Sequence, residues 1–173
     1  MSPIDSSPFV RTEWISPLGP LLLGSIGDEL LLCDWKYGRH REAIERRLER
    51  LVAAERQIGT SPVIRETQRQ LQAYFEARLS AFSLPIRYVG TTFQQSVWEE
   101  LLRVPFGRTA SYGELAERIG NPNGVRAVGT AVGHNALSII VPCHRIIGKN
   151  GALTGYAGGL EVKEALLRLE HII

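Results

Sequence analysis

The sequence predicts an α+β protein, with a small N-terminal α/β unit (a β-hairpin or sheet plus helices) followed by a C-terminal winged-helix-like domain. Three observations carry that prediction. Strand-like and helix-like patterns alternate from Leu21 to about residue 79. After Thr92, two helices with capping boxes and a third helix rich in small residues follow in close succession. Finally, the uncharged β-branched run Ile139-Ile140-Val141 leads into Pro142-Cys143-His144-Arg145. The division falls near residue 86, with 1–86 a structural unit and 87–173 the unit holding the candidate chemistry.

In the first half, Ser16-Pro17-Leu18-Gly19-Pro20 is turn chemistry, and the apolar runs 21–26 and 30–35 pair as a hairpin across Gly27-Asp28-Glu29. Cys33 lies inside the second run and reads as core. Residues 41–54 form an amphipathic helix with Ile44, Leu48, Leu51 and Val52 inward. The charges opposite, Glu42, Glu45, Arg46, Arg47, Glu49 and Arg50, read as a solvated face. Ser61-Pro62 caps a helix running to about residue 79, and 82–90 is an extended linker.

In the second half, Thr92 to Gln95 is a capping box for a helix to about residue 102, and Ser111 to Glu114 is another. Gly120-Asn121-Pro122 ends that helix, and a third follows over about 123–134. Its Ala127, Gly129, Ala131 and Gly133 are costly for helix stability and suit close approach to another surface, either protein core or a DNA groove. A turn at Gly148-Lys149-Asn150-Gly151 makes a small ribbon or wing to Tyr156, and the last helix covers 160–171.

Composition narrows the setting. The 173 residues contain no apolar run approaching the ~20 of a membrane span. Residues 1–11 lack a basic region followed by an apolar block, so no secretory signal is expected. Two cysteines make no disulfide framework and point to a reducing cytoplasm. The Cys and His residues lack the spaced pairs of a zinc site, and neither metal nor cofactor is expected. Net charge is only +2, yet 118–160 contains no Asp or Glu while carrying Arg118, Arg126, Arg145 and Lys149. An acid-free surface suits phosphates; glycine-rich and apolar segments also simply carry few charges.

Pro142 cannot continue a ladder, so the run 139–141 is expected to end there as a buried strand with Cys143 and His144 at its mouth. A lone Cys after an apolar strand is commonly core, but a rigidly held thiol beside a base also suits a nucleophile. Glu170 shares a helix stripe with Leu166 and Leu167 and lies in the last turn, where the dipole disfavours an anion. Either it is a frayed, solvated end residue or it has a cation or donor beside it.

The tetrapeptide Pro142-Cys143-His144-Arg145, with the stretch from Gly90 to Glu170, resembles the O6-alkylguanine-DNA alkyltransferases (methylated-DNA–protein-cysteine methyltransferases). The resemblance implies repair of O6-methylguanine, and of O4-methylthymine, in double-stranded DNA. The alkyl group moves irreversibly to Cys143, so each molecule, expected as a monomer, acts once. It implies a Cys143–water–His144–Glu170 relay for the thiol proton, with Asn135 tying the recognition helix to the Cys-bearing strand. Arg126 matches the family's arginine finger, which fills the stack when the nucleotide leaves it. Tyr112 matches the tyrosine that helps rotate the nucleotide and bonds the flipped guanine. Tyr156 and the glycines after it match the loop closing over the base, and the Ile146 carbonyl matches an acceptor for the guanine amine. Arg145 is grouped with these DNA- and base-binding residues. The family's helix-turn-helix enters the minor groove, which favours DNA over core for the small residues. Ala136 replaces a frequent proline, and Ile146 a usual valine.

Overall fold

The computed structural model describes residues 6–173. The stretch read for a secretory signal begins in residues 1–5, outside the described residues. Strands β1 (Phe9–Ser16), β2 (Gly19–Ile26) and β3 (Glu29–Trp35) form an antiparallel meander, and β4 (Arg56–Ile58) adds in parallel to β1, giving the order β3-β2-β1-β4. The expected hairpin is β2–β3, turning at Gly27, whose φ of 56° suits glycine. Two strands were not expected. β1 carries β-branched and aromatic residues but interleaves them with Arg11 and Glu13; β4 is three exposed residues whose pairing is decided by β1 alone.

Helices α1 (Arg41–Leu51) and α2 (Pro62–Phe75) are each shorter than expected. Ser61 caps α2 through the Ile64 amide, as its Ser-Pro start suggests. The solvated face assigned to α1 holds for Glu42, Arg46, Glu49 and Arg50, which are exposed, but not for Glu45 and Arg47. Arg47 is buried, with its guanidinium 5.1 Å from the Trp98 ring centre, and Glu45 binds both Arg11 and Arg41. Arg47 thus faces the second half at Trp98, while Glu45 faces the sheet at Arg11.

The linker runs beside β3, with Leu30 N–H donating to Pro85 and Arg87 N–H to Leu30. Helices α3 (Thr92–Leu101), α4 (Tyr112–Arg118) and α5 (Val125–Gly133) follow. The first capping box is shifted by one residue, to Thr91 and Gln94; the second, Ser111 and Glu114, is as read. Val97, Trp98 and Leu101 are buried, whereas Leu102 is outside. One apolar cluster runs through both halves, joining Leu21, Leu23 and Ile64 to Val97, Val128, Val141 and Leu166.

The expected strand at 139–141 is absent. Ile139 to Val141 are buried as read, but they lie in consecutive tight turns, with Ile140 N–H donating to Ser138 and Val141 N–H to Leu137. Ile139 has φ of 72°, which a β-branched residue adopts only under constraint. Burial on all sides produced an apolar run that periodicity alone does not separate from a strand. The expected ribbon is also reduced: β6 (Ile146–Ile147) pairs in parallel with β5 (Ala110–Ser111), and past the turn Gly148 N–H bonds to Ala152. Helix α6 (Leu160–Leu169) closes the chain.

Candidate active site

Cys143 opens a single 3-10 turn, Cys143–Arg145, reached through the segment after α5. Two devices hold that segment. Cys33 of β3 pairs with it, its N–H donating to Ala136 (2.9 Å) and its carbonyl accepting from Ser138 (2.7 Å). Asn135, buried just beyond α5, accepts from the Leu137 amide and donates to the Val141 carbonyl, both at 2.9 Å. The Asn135 amide group thus supplies the partners a strand neighbour would otherwise provide. It also hydrogen-bonds the Cys143 thiol. Asn135 thus joins the residue after the α5 C-cap, His134, to the turns leading to Cys143.

Burial pushes the Cys143 thiol up to about 11, while the Asn135 bond and the Lys163 charge pull the other way and the Asp34 carboxylate adds to the rise. At neutral pH the resting group is a thiol, and reaction needs a proton acceptor. His144 follows it, wholly buried, with Nε2 bonded to the Glu170 carboxylate. Among the described residues Nδ1 has no hydrogen-bond partner. Burial lowers the His144 pKa and the neighbouring carboxylate only partly restores it, so the ring rests neutral. No hydrogen bond joins Cys143 to His144 among the described residues.

Glu170 is the C-cap of α6 and is buried. Burial opposes its ionisation, but His144 and Arg145 outweigh it and hold the carboxyl down at about 2. It accepts from His144, from Arg145 Nε (2.7 Å) and from the Tyr74 hydroxyl (2.7 Å). Of the two readings open for this acid, frayed end or partnered anion, the geometry selects the second.

A cavity of about 340 Å³ opens over the sulfur, lined by Cys143, Asn135, Tyr112, Arg126 and Tyr156. That is within the range of small-molecule sites. Tyr112 begins α4; its hydroxyl bonds Thr154, and burial, more than the nearby Cys143, raises its pKa. Its ring lies 3.6 Å from where a Cβ on Gly129 would stand, which accounts for one small residue of α5. The stripe is divided: Ala131 is core, while Ala127 is exposed, as are Arg126 and Thr130 on the same helix. One expected base-contacting residue is placed elsewhere. Arg145 is buried, bonded to Glu170 and to the Val104 carbonyl (2.7 Å), so it belongs to the carboxylate's cage. Ile146 is buried and not among the residues that line the cavity, and its carbonyl accepts from Lys163 Nζ. A carbonyl has a second lone pair, so this contact does not exhaust it.

Sequence reasoning missed several supporting residues. Lys163 is buried, donates to Ile146 and Thr154 (2.8 Å), and has its pKa lowered to about 8 by burial. Its signal was present: Lys163, Leu166, Leu167 and Glu170 occupy one helical stripe, so two charges lie on a buried face. Tyr74 lies on the buried side of α2, and nothing in its sequence neighbourhood indicates that its hydroxyl reaches Glu170. Asp34, which binds Arg41 (2.8 Å) and Ser138 (3.2 Å), gave no local signal.

Residues 92–172 match the DNA-binding domain of 6-O-methylguanine DNA methyltransferase. The chain is 46% identical over 155 residues to the methylated-DNA–protein-cysteine methyltransferase of Methanosarcina acetivorans, covering 90% of this chain and 94% of that protein. Its structure is similar to that of Mycobacterium tuberculosis OGT in complex with DNA, with a TM-score of 0.80, 41% identity and coverage of 93% and 92%. The fold is shared with the Pyrococcus kodakaraensis O6-methylguanine-DNA methyltransferase, at a TM-score of 0.68, 21% identity and coverage of 94% and 98%. At 46% identity over nearly the whole length of the Methanosarcina acetivorans relative, this chain belongs to the methylated-DNA–protein-cysteine methyltransferase family.

Proposed function

We propose that this protein repairs O6-alkylguanine, and O4-methylthymine, in double-stranded DNA by moving the alkyl group to Cys143. The observation that carries this reading is the buried Cys143 thiol on the cavity wall, followed in the chain by a His144 whose Nδ1 is unpartnered among the described residues and whose Nε2 meets the buried Glu170 carboxylate. The thiol proton passes through a water to Nδ1, and the imidazolium that results is stabilised by Glu170. Sulfur then attacks the alkyl carbon as the carbon–oxygen bond breaks. The bonding pair stays with the base, the base recovers a proton, and the product is a thioether on Cys143. A thioether carbon–sulfur bond is stable to water, so one molecule accepts one group.

Tyr112 borders the cavity and its hydroxyl is suited to stabilise charge building on the departing base. Arg126 lies exposed near the start of α5, and among the described residues no acid pairs with it. A free planar cation there suits insertion into a base stack. The same reading makes 1–86 the support and 87–173 the DNA-binding and acceptor unit, acting as a monomer in the cytoplasm. Among the described residues no helix is long and apolar enough to cross a membrane.

Intact mass after mixing with an O6-methylguanine duplex tests the reading. A gain of one methylene unit mapped to Cys143 is expected. Folded protein that leaves the lesion-bearing duplex with its mass unchanged would falsify the transfer.

A further inference from the structure

Trp35 ends β3 and is almost wholly buried, 4% exposed. Its indole Nε1–H donates to the Tyr156 hydroxyl at 3.0 Å, across 121 positions of sequence. On the same segment, a Cβ built at Gly158 would stand 2.8 Å from the Trp35 ring, so the backbone there lies flush against the indole. Beside it, the Arg39 amide donates to the Ala157 carbonyl at 2.8 Å. Residues 156–158 are thus held at three successive positions by residues 35–39 of the N-terminal half. Tyr156 and Ala157 line the same cavity as Cys143, with Tyr112 and Arg126.

We propose that Trp35 is a positioning and specificity-determining residue for alkyl transfer, acting through Tyr156. A tyrosine whose hydroxyl is held from behind presents a fixed face to whatever enters the cavity. Glycine at 158 lets the chain press onto the indole and denies it room to retreat. The wall facing Cys143 is therefore set by a strand of the other half, and it limits how bulky an alkyl group can reach the sulfur. This rests on Cys143 being the acceptor.

The test uses Trp35→Phe, which keeps an aromatic ring and removes the N–H donor, together with Tyr156→Phe and the double variant. Single-turnover rates are measured with an O6-methylguanine duplex and with O6-benzylguanine as the free base, and duplex affinity is measured separately. Trp35→Phe is expected to slow methyl transfer about five-fold, in line with the loss of one buried hydrogen bond. Benzyl transfer slows less, so the benzyl-to-methyl ratio rises, while duplex affinity is unchanged. Because both single variants delete the same bond, the double variant is no slower than the slower of them. Rates and ratio equal to wild type in Trp35→Phe, or losses that multiply in the double variant, overturn the role of Trp35. Should Trp35→Phe fail to fold, Tyr156→Phe removes the same bond with the indole in place, and a wild-type ratio there overturns it as well. Wild-type protein that gains no alkyl mass condemns the reading of Cys143 instead, which separates the two failures.

Discussion

Cys33 on β3 and Cys143 at the head of the 3-10 turn are both buried thiols, one in each half of the chain, and burial raises the pKa of both. Around Cys33 everything is closed. Its backbone is spent on residues 136 and 138, and the Asp34 carboxylate pushes the thiol further from ionisation. Around Cys143, Asn135 and Lys163 oppose burial, a cavity opens over the sulfur, and a neutral imidazole with a free nitrogen follows in the chain. Burial is common to both. What separates them is a destination for the proton and room for a substrate.

The most severe way to break that comparison is to exchange the fates of the two thiols. Cys143→Ser is expected to abolish the mass gain with a lesion-bearing duplex. Cys33→Ala is expected to keep the transfer rate within about two-fold while costing roughly 1–2 kcal/mol in a denaturant melt, the scale of a small core cavity. Loss of transfer in a folded Cys33→Ala protein would show that the strand thiol takes part in the chemistry.

Next in size is the proton's route. His144→Gln should slow single-turnover transfer about 100-fold or more, the usual scale of a general base. Glu170→Gln should slow it as well and also lower stability, since Arg145 loses its buried counter-charge and the imidazolium formed on His144 loses its stabilising carboxylate. Rates within a few-fold of wild type for His144→Gln would mean that the thiol ionises by another path.

The stability contribution of Glu170 carries a pH signature. Its carboxyl is held below the unfolded value, at about 2. The stabilisation is therefore complete above the ordinary carboxylate range and is lost as pH falls from about 4.5 through 2. Acid melts of wild type and Glu170→Gln should converge over that window. Constant separation down to pH 2 would contradict the ion cage drawn around this residue.

The mildest effects lie on the DNA side. Arg126→Ala should reduce transfer from duplex about ten-fold while leaving transfer from a free modified base nearly unchanged, because only the duplex needs its stack filled. Equal losses on both substrates would remove that role. Binding should weaken with salt along a shallow slope, as expected for a chain of net charge +2.

Much of this was legible in the chain. The β2–β3 hairpin, the Ser61 and Ser111 caps, the helix order of the second half and the grouping of Cys143, His144 and Glu170 follow from local patterns or from the quoted motif. The errors share one cause. Arg47 looked like one more charge on a polar face, and Ile139 to Val141 like a strand, because each was judged by its sequence neighbours. Arg145 looked available to DNA for the same reason, although Glu170 and Val104 enclose it.

By itself, then, the amino-acid sequence determined which segments turn, which bury apolar faces and which thiol has a basic neighbour, since these depend on residues within a few positions of one another. Only the tertiary structure decided which nitrogen of His144 stays free, where Tyr74, Lys163 and Arg145 spend their hydrogen bonds, and that β3 reaches across to grip the segments on either side of Cys143. Those outcomes depend on burial, where every polar atom needs a partner and the partner stands far away in sequence.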